Sequence, residues 1–423
     1  MERLKNLIIH KITSAWQYVK TFFKWLSIAF VTGIVGGLIG SLFGICIKYA
    51  NSLDSSLWYL IFFLPLGGVA IVAVYRLCGI ENDPGTNCVI ESIRSKNNVP
   101  YAMAPLIFVS TIITHLFGGS AGREGAALQL GGSLGTAIGR LLRLGESDLH
   151  IALMCGMSGL FSALFGTPVT AAFFALEVIS VGVAYYSALV PCFISAVVSY
   201  FVSIQLGAAP LRFDISKSIP DLGILPLLSV SALAAACAVI SIVFCVAMKQ
   251  TQKWAKVLIK NDYLRVIAGG AVIVLLTLAV GSRDYNGAGS DIIAKALNGN
   301  AKPEAFALKI IFTAVTIGCG YKGGEIVPTL FIGSTFGCVF GALLGLDPVF
   351  GAAVGMICLF CGVVNCPVAS ILLSVEVFGA GGVIFFGIAS AVSYMLSGYY
   401  GLYSSQKILY SKLKAEYINI NTK

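Results

Sequence analysis

The stretch Gly118–Leu142, GGSAGREGAALQLGGSLGTAIGRLL, decides how the chain is read. It sets a carboxylate, Glu124, behind a run of glycines and directly ahead of an apolar helix punctuated by glycine. The flanking residues are hydrophobic, so Arg123 and Glu124 are expected at membrane depth. An ionisable side chain there is costly, and a functional site is the default reading. The glycines let the chain leave helix and approach an ion closely. The next helix start offers free N–H groups and a dipole that favours negative charge. A titratable acid beside such a start reads as a gate that either an anion or the carboxylate itself can fill.

Outward from this stretch, the composition excludes an ordinary soluble domain: mean hydropathy is +0.90, 57% of residues are hydrophobic and 11% are charged. Leu26–Ile47, Val181–Leu206, Leu222–Val246, Ile326–Leu346 and Val377–Tyr400 are uncharged and long enough to span a bilayer. Tyr101–Phe117 and Ile151–Phe165 are shorter and end at glycine, as in transporters with broken helices. The expected class is an all-α polytopic membrane protein, with the lipid bilayer as its surroundings. The net charge of +9 is not a nucleic-acid signal, because lysine and arginine crowd the two ends. By the positive-inside rule both termini are expected in the cytoplasm. Cys358, Cys361 and Cys366 lie in apolar sequence without a second ligand pair, so they read as small buried hydrophobes rather than a metal site. No metal or cofactor is expected.

Residues 1–24 carry Leu4, Leu7, Ile8, Ile12, Trp16, Val19 and Phe23 at helical spacing with lysines between, predicting an amphipathic helix at the cytoplasmic interface. Residues 79–100 break the hydrophobic pattern. Pro84-Gly85 signals a turn, and Thr86 or Asn87 can open a short helix through Ile93. That segment is either an exposed loop or part of the site.

The strongest internal signal is a repeat. Gly156, Met157, Leu160, Phe161, Pro168, Val169, Glu177 and Val178 recur 199 residues later as Gly355, Met356, Leu359, Phe360, Pro367, Val368, Glu376 and Val377. Gly122, Gly131, Gly135 and Gly139 recur 202 residues later as Gly324, Gly333, Gly337 and Gly341. The halves are expected over about residues 25–206 and 222–400 of a single transmembrane domain, 25–423. Duplicated halves meeting at broken helices put a site at their interface. The second break, GCGYKGGEIVP at Gly318–Pro328, carries its own acid, Glu325, and is the expected partner of the first. Glu325 is either a capped helix start or a participant in anion or proton movement. Glu177 and Glu376 read as structural or interface acids. Tyr403 follows the last span and opens what looks like a final helix over about residues 403–418, with no folded regulatory domain expected after it.

These residues together resemble the CLC anion channels and transporters. GREGA at Gly122–Ala126 is similar to that family's glutamate gate, GGEIVP at Gly323–Pro328 to its second anion-binding helix start, and GLYS at Gly401–Ser404 to the segment with its pore tyrosine. Several positions depart from the usual pattern. Gly85-Thr86-Asn87-Cys88 stands where most members have GSGIP, Ala126 replaces a proline, and Glu325 replaces an apolar residue. The usual inner proton-relay glutamate falls on Val178. This combination resembles the bacterial fluoride/proton antiporter branch. The resemblance implies two inverted repeats whose broken helices meet at the midplane, and a homodimer with one pathway per subunit in the bacterial plasma membrane. It further implies proton-coupled fluoride export. In that reading Glu124 gates and couples, and Gly85, Thr86 and Asn87 form the altered selectivity stretch. Arg123, Gly125, Glu325 and Ile326 supply helix-start backbone, and Tyr403 lines the inner side.

Elementary chemistry agrees. Fluoride is small and strongly hydrated, so several close donors must replace its water: helix-start N–H groups, the Thr86 hydroxyl and the Asn87 amide. A chloride/proton exchanger or channel on the same fold is the near alternative, because the Thr86 hydroxyl also suits chloride. A remote one is an intramembrane serine protease, from Gly156-Met157-Ser158-Gly159 with His115. Ile357 replaces the serine in the second repeat, which favours helix packing and a non-enzymatic transporter.

Overall fold

The computed structural model describes residues 2–80, 85–95 and 99–423, with side chains described from Ala15 onward. Helices run in two matching series. Glu2–Ser56, Leu64–Leu77, Thr86–Ser92, Met103–Leu116, Glu124–Leu141, Glu146–Phe165, Pro168–Glu177 and Leu189–Gln205 come first. They are followed in the same order by Ile224–Leu258, Asp262–Val280, Ser290–Ala296, Ala305–Gly318, Ile326–Leu343, Pro348–Val364, Pro367–Phe378 and Val383–Leu396. Each series opens on a long apolar helix and continues with shorter ones, several too short to span a bilayer alone.

Glycine spacing explains the core of each half. The helix Glu124–Leu141 packs on Glu146–Phe165 so closely that a Cβ on Gly131 would lie 2.3 Å from the Gly156 carbonyl oxygen, and one on Gly156 2.0 Å from that of Gly131. The second half repeats the contact between Ile326–Leu343 and Pro348–Val364, with Gly333 and Gly355 at 2.5 and 2.3 Å. Helices in lipid gain no hydrophobic drive from associating, so small residues and polar side chains hold them together. Serines supply the second part. The hydroxyls of Ser158 and Ser162 donate to the carbonyls of Cys192 and Ala196 (2.9 and 2.7 Å), and those of Ser195 and Ser199 donate back to Cys155 and Gly159 (2.8 and 2.7 Å). Ser158 is thus committed to helix packing. His115, its supposed protease partner, bonds Asn51 and Gly122 instead.

The halves are joined reciprocally. The Glu376 carboxylate accepts from the N–H groups of Val169 (2.9 Å) and Thr170 (2.7 Å) and from the Thr170 hydroxyl (2.6 Å). Glu177 accepts from Val368 (3.3 Å) and Ala369 (2.8 Å). Each acid caps the proline-opened helix of the other half, satisfying N–H groups that have no partner inside their own helix. Phe174 also meets Phe360 across the same boundary, ring centres 5.7 Å apart.

Four expectations need correction. The final helix over 403–418 does not form. Lys407–Tyr410 pairs in parallel with Ser180–Val181 and antiparallel with Tyr417–Asn421. Ser411 turns the chain by accepting from the N–H groups of Leu413 and Lys414, and Tyr410 meets Tyr417 across the strands at 5.6 Å. Cross-strand pairing outweighs the helix propensity of the intervening lysines and alanine. The span read as Val181–Leu206 enters its α-helix only at Leu189, after Gly182 turns at φ +92° and a short 3-10 turn covers Tyr186–Ala188. The span Val377–Tyr400 is broken by Gly379, at φ +84°, before its helix starts at Val383. Finally, residues 1–24 are not a separate interfacial helix at the backbone level: one helix, Glu2–Ser56, runs on into the first span. The contacts of Leu4, Leu7, Ile8 and Ile12 lie outside the described side chains. Pro84 also lies outside the described residues, while Gly85 turns at φ +65° and the short helix runs Thr86–Ser92, starting at the first of the two expected residues and ending one before Ile93.

The packing makes a stability prediction. Gly355→Val forces a branched side chain onto backbone that cannot retreat, at a cost of about 1–3 kcal/mol for overpacking. A lower melting temperature in detergent and a smaller monodisperse size-exclusion peak are the expected results; a wild-type melt would mean that these helices do not touch at Gly355.

Candidate functional site: two helix starts joined at glycine

The two Gly-rich breaks meet as an antiparallel bridge. The Gly122 N–H donates to the Gly324 carbonyl at 2.6 Å, and the Gly324 N–H donates back at 2.7 Å. Beyond the bridge the helices Glu124–Leu141 and Ile326–Leu343 begin, their first N–H groups turned toward the junction. The first break is held from several sides. Asn286 donates to the Gly118 carbonyl (2.9 Å), the Ser120 N–H donates to the Thr316 hydroxyl (3.1 Å), and the Ser120 hydroxyl pairs with that of Thr313 (3.0 Å). His115 Nε2 lies 3.3 Å from the Gly122 carbonyl oxygen. Irregular backbone is tolerated inside a membrane protein only when its polar groups are met in this way.

Glu124 is 1% exposed and lies back over its own helix start. The Arg123 N–H donates to Oε2 at 2.9 Å and the Arg123 Nε donates to Oε1 at 3.2 Å, while Nη2 of the same arginine is anchored on the Leu164 carbonyl at 3.2 Å. The carboxylate therefore occupies donors that an incoming anion would use. Glu124 and Arg123 border a cavity of about 290 Å³, together with Asn51, Ser290, Val327 and Met356.

Glu325 faces the other way. It lines a separate cavity of about 560 Å³ with Gly85, Thr86, Asn87, Gln129 and Tyr403. Its Oε2 is buried without a hydrogen-bond partner among the described residues. A Cβ on Gly125 would lie 2.7 Å from that oxygen, so only glycine lets Glu325 reach across to the start of the Glu124 helix. The Tyr403 hydroxyl is likewise buried and unpartnered among the described residues, although its backbone is fixed, its carbonyl accepting from Thr422 at 2.6 Å. The Thr86 hydroxyl donates to the Gly125 carbonyl at 3.2 Å and accepts from Gln129 at 3.3 Å. Asn87 Oδ1 accepts from the Ser405 N–H at 2.9 Å, which leaves the amide NH₂ as the donor it can offer. Ile326, fully buried, opens the second helix.

The structure thus divides the residues singled out in the sequence into two groups. Arg123 and Glu124 border one cavity; Gly85, Thr86, Asn87, Glu325 and Tyr403 border the other; Gly125 and Ile326 lie at the junction between them. Gln129 was missed, and its only sequence signal is a lone amide in the apolar run AALQLGG. Also missed was Lys309, fully buried, whose Nζ donates to the carbonyls of Tyr285 (3.2 Å) and Gly287 (2.7 Å) and lies 5.1 Å from the Phe331 ring centre. A single lysine in AFALKIIFTAV was the available clue. Val178 is buried, with its carbonyl taken by Gln406 at 3.0 Å.

Comparison with known proteins places this geometry. A chloride/fluoride channel protein of Pseudomonas syringae pv. tomato is 34% identical over 399 residues, covering 92% of this chain and 87% of that one. An H(+)/Cl(-) exchange transporter of Vibrio campbellii is 26% identical, covering 84% of this chain and 82% of that protein. The crystal structure of a CLC-type fluoride/proton antiporter superposes with a TM-score of 0.88 at 30% identity, covering 91% of this chain and 98% of that one. A cyanobacterial Cl-/H+ antiporter, at 18% identity and a TM-score of 0.75, covers 88% of this chain and 94% of that one and shares the fold. The family model described as voltage gated chloride channel matches residues 66–398. A match across most of the chain, on a duplicated fold whose broken helices meet at two acid-bearing starts, makes this multi-pass membrane protein a member of the CLC, or voltage-gated chloride channel, family.

Proposed function

We propose that the protein exports fluoride in exchange for protons, as a homodimer with one pathway in each subunit, in a bacterial plasma membrane with both termini cytoplasmic. It is a transporter and not an enzyme in this reading. The observation that carries it is the pair of carboxylates on opposite sides of the Gly122–Gly324 bridge, Glu124 buried and Glu325 half-buried with its Oε2 enclosed. An anion crossing the junction must displace Glu124 from the helix-start donors, and protonating Glu124 removes its claim to them. Glu325, with an oxygen that has no hydrogen-bond partner among the described residues, would meet an anion or a proton on the other side. Asn87 and Gln129 bring amide N–H groups to this cavity, and the Thr86 hydroxyl can add its own by turning away from the Gly125 carbonyl, a donor set suited to a strongly hydrated ion. The likeness to the CLC-type fluoride/proton antiporter and to the Pseudomonas chloride/fluoride channel protein supports fluoride as the substrate. Chloride/proton exchange is the second reading, favoured by the Vibrio relative.

The deciding measurement is ion loss from proteoliposomes loaded with fluoride or chloride, followed together with pH. Fluoride is expected to leave at least tenfold faster and to move protons as it goes; equal rates would leave chloride exchange standing. Glu124→Gln mimics the protonated acid and cannot release a proton. Proton movement driven by a fluoride gradient should vanish in it, whether fluoride stops or leaks passively; coupled exchange that persists would remove Glu124 from this role. Glu325→Gln keeps shape and hydrogen bonding. A tenfold or greater loss of transport, with the protein still folded, is expected from it, whereas unchanged transport would reduce Glu325 to a helix cap.

A further inference from the structure

The cavity in front of Glu325 and Tyr403 is wider and more basic than a path for one small anion requires. Its outer wall carries Arg76, Lys249, Lys256, Lys260, Arg265 and Lys322, against the acids Asp262 and Glu325. Asp262 is already engaged, accepting from Arg76 at 3.1 Å and from Arg265 at 2.5 Å. No ion pair engages Lys249, Lys256 or Lys260 among the described residues. Two buried nitrogens on the wall, Lys249 Nζ and Arg265 Nε, have no hydrogen-bond partner among the described residues. Arg265 already gives its terminal nitrogens to Asp262 and the Ile259 carbonyl, so its Nε is a spare donor. Lys249 has neither an ion pair nor a hydrogen bond among the described residues, and an unanswered cation is costly to bury; an anionic ligand supplies the missing interaction.

The spacing specifies the ligand. Lys249, Gln252 and Lys256 lie three and four residues apart on the helix Ile224–Leu258 and line the same cavity, so they share one face. Two turns separate the lysines by about 10 Å along the axis. One monovalent ion cannot answer both charges, while an anion with linked phosphoryl groups can. A cavity of about 560 Å³ lies within the range that encloses small organic ligands.

We propose that this cavity is a binding site for an anion bearing two or more phosphoryl groups, held by Lys249, Lys256 and Arg265. Its source is either a soluble di- or triphosphate or the headgroup of a lipid with more than one phosphate. An occupant stands between solvent and Glu325, so binding closes this mouth of the pathway; that consequence alone rests on the transport reading.

The test reads binding without transport, so its failure leaves the fluoride reading untouched. Calorimetry on the full-length protein in phosphatidylcholine nanodiscs, titrated with pyrophosphate, should show saturable binding, with sulfate at equal ionic strength at least tenfold weaker. The double variant Lys249→Met/Lys256→Met should weaken pyrophosphate at least tenfold while keeping its size-exclusion profile and melting temperature. Lys249→Arg/Lys256→Arg should retain the binding. In parallel, nanodiscs containing cardiolipin are washed and the retained lipid is counted. Retention by wild type but not by the methionine variant assigns the site to a lipid source, and pyrophosphate binding in phosphatidylcholine assigns it to a soluble one. Neither ligand bound at millimolar concentration, sulfate competing as well as pyrophosphate, or binding unchanged in the methionine variant would each overturn the proposal.

Discussion

Two backbone hydrogen bonds, between Gly122 and Gly324, are the constraint on which the rest depends. Backbone polar groups inside a membrane protein must find partners, and a broken helix leaves several exposed. By pairing the breaks with each other, the fold satisfies the groups just before each helix and leaves those at the two helix starts outside the bridge, where the Glu124 carboxylate takes the Arg123 N–H. The close glycine packing of Gly131 on Gly156 and Gly333 on Gly355 holds these helices where that pairing can occur. Ser120, Asn286 and His115 then fix the first break from outside. The site is in this sense a by-product of completing the backbone.

Symmetry at the junction is imperfect by one residue, and that offset creates the chemistry. Glu124 is the first residue of its helix, whereas Glu325 precedes its helix as the capping residue. Successive residues at a helix start point in different directions, so a shift of one sends the two carboxylates to opposite sides. One acid lies over its own N–H groups beside Arg123; the other reaches past Gly125 toward Thr86 and Tyr403. A duplicated scaffold thereby presents two non-equivalent acids in series.

Much of this was legible in the sequence because glycine, proline and buried charge leave strong marks. The repeat spacing, the two breaks and the buried acid Glu124 follow from them, as does a helix start at Thr86 or Asn87. What stayed hidden depends on partners far away in the chain. Lys407–Tyr410 reads as helix locally and becomes strand because Ser180–Val181 and Tyr417–Asn421 pair with it. Hydropathy also overlooked the turns at Gly182 and Gly379, since apolar residues continue through both. Gln129 and Lys309 were passed over as isolated polar residues, and their meaning appears only when Thr86 and the Tyr285–Gly287 carbonyls are brought beside them.

The exchanged caps of Glu177 and Glu376 bear on how the chain matures. Val169 and Thr170 are made early, yet the carboxylate that satisfies their N–H groups lies 207 and 206 residues downstream. At about 5–20 residues per second, synthesis of that interval takes roughly 10–40 s. Throughout it the first half sits in the membrane with an open helix end and cannot reach its final form alone. The second half has no such wait, because Glu177 already exists when Val368 and Ala369 emerge. The order of synthesis thus makes the two caps unequal: the one from Glu177 can close as soon as its helix emerges, and the one from Glu376 is the last to become available.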